Sequence, residues 1–182
     1  MVNIYKLELT VLQQRILRFL LLNAGKNYNQ RNIALHLNVS PVAVSKSIAL
    51  LKHKRFIIIN KDRMSKVLQI GVNFENSKIL QMKRVENLKA VYSSGLLDYL
   101  RESLPGATII LFGSYAFGED NEDSDIDIAV IGHSEKQLDL RQFENQFSKN
   151  IIVQYYSDFS KIHKNLQESL FNGIVLKGGI RL

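Results

Sequence analysis

The chain has 182 residues, of which 46% are hydrophobic and 23% charged, a composition typical of one or two small folded domains. It contains no cysteine, which excludes disulfide bonds and cysteine-ligated metal sites. Its longest strongly apolar stretch, around residues 19–22, is far shorter than the roughly 20 residues that cross a bilayer. We therefore expect a soluble, cytoplasmic protein with no membrane partner.

Charge is distributed unevenly along the chain. Residues 1–75 contain twelve Lys or Arg and three Asp or Glu, a net charge of +9, whereas residues 76–182 have a net charge of −2. This contrast predicts two domains with different partners. For the basic domain, a nucleic-acid partner and a merely solvated basic surface are both consistent with the charge.

The basic segment has the pattern of three helices. Thr10 fits the start of a capping box that opens the first helix. A second helix fits residues 30–37, because its apolar residues recur at helical spacing. Ser40 and Pro41 then form a typical N-cap and first residue of a third helix over residues 42–54.

The third helix has two different faces. Val44, Ile48 and Leu51 repeat at helical spacing and are expected to face a core. The opposite face carries small or basic side chains suited to approach a nucleic-acid groove: Val42, Ser45, Lys46 and Ala49.

Two β-rich runs, residues 56–60 and 67–72, predict a hairpin after the third helix. The stretch from residue 8 to 73 resembles the winged helix-turn-helix domains of bacterial and archaeal regulators. The resemblance implies that the third helix enters the major groove of double-stranded DNA and that the hairpin, or wing, touches the backbone. The residues expected to contact DNA are Val42, Ser45, Lys46, Lys61, Arg63 and Lys66.

A protein-contact role for this domain stays open, because winged helices also serve as protein-contact modules. Leu35 lies at a position that is usually exposed, and it can pack on a dimer partner or on the second domain. Since winged helices often dimerise, we expect a homodimer.

A helical pattern over residues 77–104 leads to the second domain. Ser93, Ser94 and Gly95 interrupt it, which is consistent with two helices or one bent helix. The predicted domains are a winged helix over residues 1–75, a helical connector over 76–94 and a second domain over 95–182.

The most informative motif lies between residues 107 and 131. An apolar run predicts a buried strand that ends at Gly113 and Ser114, and a second strand follows on which Asp125 and Asp127 share one face. Adjacent carboxylates repel each other unless a divalent cation neutralises them, and magnesium prefers such ligands together with phosphate oxygens. Gly113 permits close approach of a phosphate, and Ser114 can donate a hydrogen bond to it.

This motif closely resembles the signature of the polymerase β-type nucleotidyltransferases, in which Gly-Ser is followed about ten residues later by Asp-hydrophobic-Asp. The resemblance covers residues 95–180 and is greatest to the small minimal nucleotidyltransferases of archaea and bacteria. It implies that Asp125 and Asp127 hold Mg²⁺ and that Gly113 and Ser114 bind a nucleoside triphosphate (NTP). An acceptor hydroxyl would attack the α-phosphorus and release pyrophosphate, with a two-metal site stabilising the charge.

The predicted fold class is therefore α+β. A winged helix-turn-helix of three helices plus a β-hairpin precedes a nucleotidyltransferase-fold α/β domain with a small mixed sheet.

Two positions depart from the family signature. The family usually has a third carboxylate on the next strand, and the corresponding position in this chain is Gln154. Glutamine is a weaker magnesium ligand than a carboxylate. Nearby Asp158 is a candidate substitute. Phe117 stands where many relatives have an arginine, and Lys149 or an arginine of the other domain could supply the missing cation.

Two functions are consistent with these residues. The first is a magnesium-dependent nucleotidyltransferase targeted by the winged helix, with a nucleic-acid end, a protein hydroxyl or a small molecule as acceptor. The second is a DNA-binding transcriptional regulator whose nucleotidyltransferase-like domain senses a nucleotide without turning it over. The aspartate pair favours the first function, and Gln154 favours the second.

Overall fold

The computed structural model describes residues 9–61 and 66–180. Internal contacts divide the chain into two compact units, with the boundary between Lys83 and Arg84. This boundary falls within the predicted connector, residues 76–94, and each unit has a hydrophobic core of its own.

The first unit consists of three helices followed by an antiparallel hairpin, which confirms the predicted winged-helix fold. Its elements are α1 (Val11–Leu22), α2 (Gln30–Leu37), α3 (Pro41–His53), β1 (Ile57–Lys61) and β2 (Leu68–Val72).

Local hydrogen bonds set the starts of these helices as the sequence predicted. The Thr10 hydroxyl accepts a hydrogen bond from the Gln13 backbone N–H, and the Gln13 side chain accepts one from the Thr10 backbone N–H, which completes the capping box of α1. The Ser40 hydroxyl accepts from the N–H of Ala43 at the start of α3, with Pro41 as its first residue.

Two helices follow the hairpin, as one of the two interpretations of residues 77–104 predicted. They are α4 (Ser77–Ser93) and α5 (Leu96–Ser103), and Gly95 between them has a φ of +81°. A left-handed residue ends one helix and redirects the chain into the next, which is why glycine occupies this position.

The second unit is built on a four-stranded mixed sheet, as predicted. The strands are β3 (Thr108–Phe112), β4 (Ile126–Ile131), β5 (Ile151–Tyr156) and β6 (Ile174–Lys177), in the order β5-β4-β3-β6. β4 is parallel to β5, whereas β3 is antiparallel to both β4 and β6. The helices are α6 (Gly113–Phe117), α7 (Arg141–Phe147) and α8 (Lys164–Phe171), with a 3₁₀ turn at Phe159–Lys161.

Strand β4 alternates between two apolar environments. Ile126, Ile128 and Val130 are fully buried in the core that also contains residues of α5 and α7. Ala129 faces a second core, formed with the 3₁₀ turn and α8. Because both faces are covered, the strand is almost continuously apolar, and Asp127 is its polar exception, close to where the strand begins.

Within the described ranges, no helix taken alone combines the length and the apolar content needed to cross a membrane. Among the helices of residues 9–61 and 66–180, the pair α2 and α3 reaches that length and composition when taken together, with a bend of 114° between the two helices.

Candidate active site and nucleic-acid interface

The Gly-Ser and Asp-x-Asp motifs meet where β3 ends and β4 begins. Strands β3 and β4 pair so that Phe112 lies opposite Asp127, which brings Gly113 next to the Asp127 side chain. Gly113 has a φ of +71°, and a Cβ added there would overlap the Oδ2 atom of Asp127. Glycine is therefore required at this position on two counts, backbone conformation and contact with the carboxylate.

Asp125 is oriented by a neighbour that sequence reasoning did not single out. The side-chain amide of Asn150 donates a hydrogen bond of 3.0 Å to Oδ1 of Asp125. The backbone carbonyl of Asn150 accepts a bond of 2.9 Å from the N–H of Ile126. Asn150 therefore holds Asp125 at the entrance to β4 with both its side chain and its main chain. The sequence feature that could have drawn attention to Asn150 is its position directly before the apolar strand β5.

The environment of Asp127 disfavours its charged form. Burial raises the pKa of its carboxyl above the ordinary aspartate value, and the negative charge of Asp125 raises it further. The two carboxyls are therefore close enough to repel each other. A divalent cation between them would remove this penalty.

Lys149 is bound to the loop that precedes Asp125. Its side chain is 8% exposed, and its ammonium lies 3.5 Å from Oδ2 of Asp120, which is 3% exposed. The ammonium also donates to the backbone carbonyls of Ser124, at 3.1 Å, and of Asn121. These groups already surround the ammonium, so Lys149 would have to give up these bonds to serve as the substitute cation for phosphate. Lys149 fixes the loop that presents Asp125.

Asp120 belongs to a buried polar network. The amide of Asn87, on α4, donates to Oδ1 of Asp120 at 2.6 Å and to the backbone carbonyl of Tyr115 at 2.9 Å. Burial raises the pKa of the Tyr115 hydroxyl, and the charge of Asp120 adds to the effect. The network connects α4 to α6, the short helix that begins at Gly113.

The position beside Asp127 on β5 is occupied by Ile152. In the parallel register Asp127 pairs with Ile152, whereas Gln154 pairs with Ala129, one pleat further along the strand. Gln154 therefore lies on the same face of the sheet as Asp127, two residues beyond the directly paired Ile152. Neither residue is a carboxylate, and the assignment of the family's third-carboxylate position to Gln154 stays a prediction. Asp158 follows the far end of β5, where its side chain caps the 3₁₀ turn by accepting a 2.8 Å bond from the N–H of Ser160.

The outward face of α3 has the exposure that DNA contact requires. Val42 is 66% exposed, and Ser45 and Lys46 are also exposed. Lys61 ends β1 and is exposed, as is Lys66 before β2. The other predicted contact, Arg63, lies outside the described residues. The opposite face of α3 is buried as predicted, at Val44, Ile48 and Leu51.

The second unit is similar to a known protein family. Residues 93–176 match the family model described as a nucleotidyltransferase domain. The match agrees with the nucleotidyltransferase-like domain predicted for this part of the chain, whereas the polymerase β type stays a prediction. No curated protein matches the chain.

Some solved structures have a partial likeness to the chain. A double mutant of ZitR from Lactococcus lactis is 21% identical, with 49% of this chain and 60% of that chain covered and a TM-score of 0.40. The match therefore spans less than two thirds of ZitR. Adhesin competence repressor (AdcR) from Streptococcus pyogenes is 19% identical, with coverages of 54% and 69% and a TM-score of 0.41. The MepR–DNA complex from S. aureus is 18% identical, with coverages of 53% and 78% and a TM-score of 0.40.

Proposed function

We propose that the chain is a magnesium-dependent nucleotidyltransferase that moves a nucleoside monophosphate from an NTP to an acceptor hydroxyl, and that its winged helix targets it to double-stranded DNA. The observation that carries the proposal is the position of the Asp127 carboxylate beside Gly113, in the space that a Cβ at this position would occupy. A phosphate that approaches the backbone at Gly113 would lie beside the carboxylates of Asp125 and Asp127.

The donor set fits one magnesium ion shared with phosphate. Asp125 and Asp127 supply carboxylate oxygens, and the raised pKa of Asp127 indicates a charge that a cation would neutralise. Among the residues described, no three or more His, Asp or Glu side chains surround one point, so phosphate oxygens would complete the coordination. When bound, the ion would stabilise negative charge on the transferring phosphate.

Each nearby residue then has a defined task. Gly113 leaves room for the Asp127 carboxylate beside the backbone that a phosphate would approach, and the Ser114 hydroxyl would donate a hydrogen bond to that phosphate. Asn150 and Lys149 keep the Asp125 loop in place through the bonds described above. The acceptor hydroxyl could come from a nucleic acid, a protein or a small molecule.

Transfer of label from nucleotides tests the proposal. The parent protein, magnesium and a lysate of the source organism are incubated with NTPs labelled at the α- or the γ-phosphate. We expect a labelled macromolecule or small-molecule product with α-label and none with γ-label, because the γ-phosphate leaves in pyrophosphate. Incorporation of γ-label without α-label, above that of the same lysate without the protein, would indicate phosphoryl transfer and contradict the proposal.

A second candidate is a DNA-binding regulator whose second unit binds a nucleotide without turning it over. Ile152 beside Asp127 favours it, because this position could have supplied a further metal ligand and does not. Nucleotide-dependent change in DNA affinity, with no α-label transferred under any divalent metal, would establish the regulator instead of the enzyme.

DNA binding is proposed from the exposed face of α3 and the charge of the first unit. We expect the double variant Lys46→Ala/Arg63→Ala to bind duplex DNA roughly tenfold more weakly at low salt, across all sequences. The slope of log affinity against log salt should fall by about two, one for each lost phosphate contact. Fluorescence anisotropy over a salt series measures both quantities.

The matched control is Lys89→Ala/Lys164→Ala, which removes the same charge from two exposed lysines of the second unit. It should bind like the parent. If the Lys46→Ala/Arg63→Ala variant also binds like the parent at low salt, the winged helix does not bind DNA through this face. A homodimer and a protein acceptor stay predictions.

A further inference from the structure

A concave surface lies on the winged-helix unit where α2, α3 and β2 begin. Its lining includes polar and apolar side chains of these elements: Arg31, Pro41, Val42, Ser45, Val67 and Leu68. Val42 is the most exposed of the large apolar residues here, at 66%, followed by Leu68 at 54%. Exposed apolar side chains grouped in a concave surface often mark a site where a binding partner removes them from water.

The charge around this surface restricts the partner. Residues 9–61 and 66–83 contain a single acidic residue, Glu75. Arg31, which also lines the surface, and Lys46, four positions after Val42 in α3, are both exposed. These charges favour a partner that is anionic and still presents an apolar group to Val42. Duplex DNA meets both requirements, because the 5-methyl group of thymine is the apolar group on base edges in the major groove.

We propose that Val42 reads thymine through contact with this methyl group. The inference rests on the proposed DNA binding and deepens it, since it assigns a base preference to one residue. Val42 is the second residue of α3, after Pro41, and residues at the N-terminus of a recognition helix contact base edges. Ser45 and Lys46 follow three and four positions later and share its helix face, where they bind polar base edges and phosphates.

Deoxyuridine isolates the contribution of the methyl group, because it differs from thymidine in this group alone. A preferred duplex is first selected from a random library with the full-length protein. Each thymine of that duplex is then replaced in turn by uracil, and the Kd is measured by anisotropy at low salt. At one or two positions we expect the replacement to weaken binding by the parent about fourfold, the loss for one buried methyl-sized group.

The same series with Val42→Ala decides whether Val42 makes the contact. This variant should bind the thymine duplex about fourfold more weakly than the parent and should no longer distinguish thymine from uracil. Val11→Ala, a matched change at a valine that is 74% exposed on α1, should distinguish them as the parent does.

Two results would overturn the inference while leaving DNA binding in place. One is a parent protein that binds thymine and uracil duplexes equally at every position. The other is a methyl effect of unchanged size in Val42→Ala. Failure of the parent to bind any duplex would instead overturn the proposed DNA binding itself, so the two failures are distinguishable.

Discussion

Asp127→Asn should reduce nucleotidyl transfer at least about a hundredfold and, at the same time, make the metal-free protein more resistant to heat. The loss of transfer follows because the neutral amide is a much poorer magnesium ligand than the carboxylate. The gain in stability follows because the variant removes a charge that burial and Asp125 both disfavour.

The pH dependence of the stability effect has a defined sign. The pKa of Asp127 is raised on folding, so this carboxyl contributes stability below the ordinary aspartate pKa and loses it as the pH rises through the folded value. At neutral pH the ionised group therefore lowers the free energy of unfolding. Since the carboxyl is only half-buried, we expect the midpoint of Asp127→Asn to exceed that of the parent by a small margin at pH 7, with no difference at pH 3.

Calorimetry with and without magnesium and NTP measures these midpoints. Added ligand should raise the midpoint of the parent but not that of Asp127→Asn, because a ligand stabilises only the state that binds it. Asp123→Asn is the control, since Asp123 is an exposed acid of the same loop. Full transfer activity in Asp127→Asn would show that this carboxylate is not part of the catalytic machinery.

Lys149→Met should lower the free energy of unfolding of the second unit by about 3 kcal/mol, because it leaves Asp120 buried without this ammonium. The variant also removes the donor to the Ser124 carbonyl, so the Asp125 loop should loosen and nucleotide affinity should fall. Urea denaturation and nucleotide titration measure the two effects.

Two further variants keep this prediction decisive. Lys149→Met/Asp120→Leu removes both charges and should recover most of the lost stability, since a buried pair replaced by apolar groups is often neutral. Arg141→Met breaks a 2.6 Å ion pair with Asp139 that is largely exposed, and it should leave the unfolding curve unchanged. A Lys149→Met protein as stable as Arg141→Met would show that the buried pair contributes nothing.

Local sequence determined the elements of both units. The capping box at Thr10 and the helix start at Ser40-Pro41 depend on hydrogen bonds between residues three positions apart. All the residues involved are therefore present in a short stretch of sequence, which is enough to predict them. The strand that ends at Gly113-Ser114 and the strand that carries Asp127 were also predicted from local sequence. Both are short apolar runs next to polar or glycine residues, a pattern that can be recognised without knowledge of the fold.

Only the tertiary structure decided which residues complete the site. Ile152 pairs directly with Asp127, and Gln154 pairs with Ala129. The register of the two parallel strands fixes these pairs. A shift of two residues would keep the same residues of β5 on the same face, so the apolar pattern of the sequence does not reveal the register. Lys149 binds Asp120 and the Ser124 carbonyl, partners 29 and 25 positions away in the chain, so its role could not be read from its neighbours. The sequence by itself determined the two domain types and the aspartate pair, whereas long-range pairing determined the surroundings of that pair.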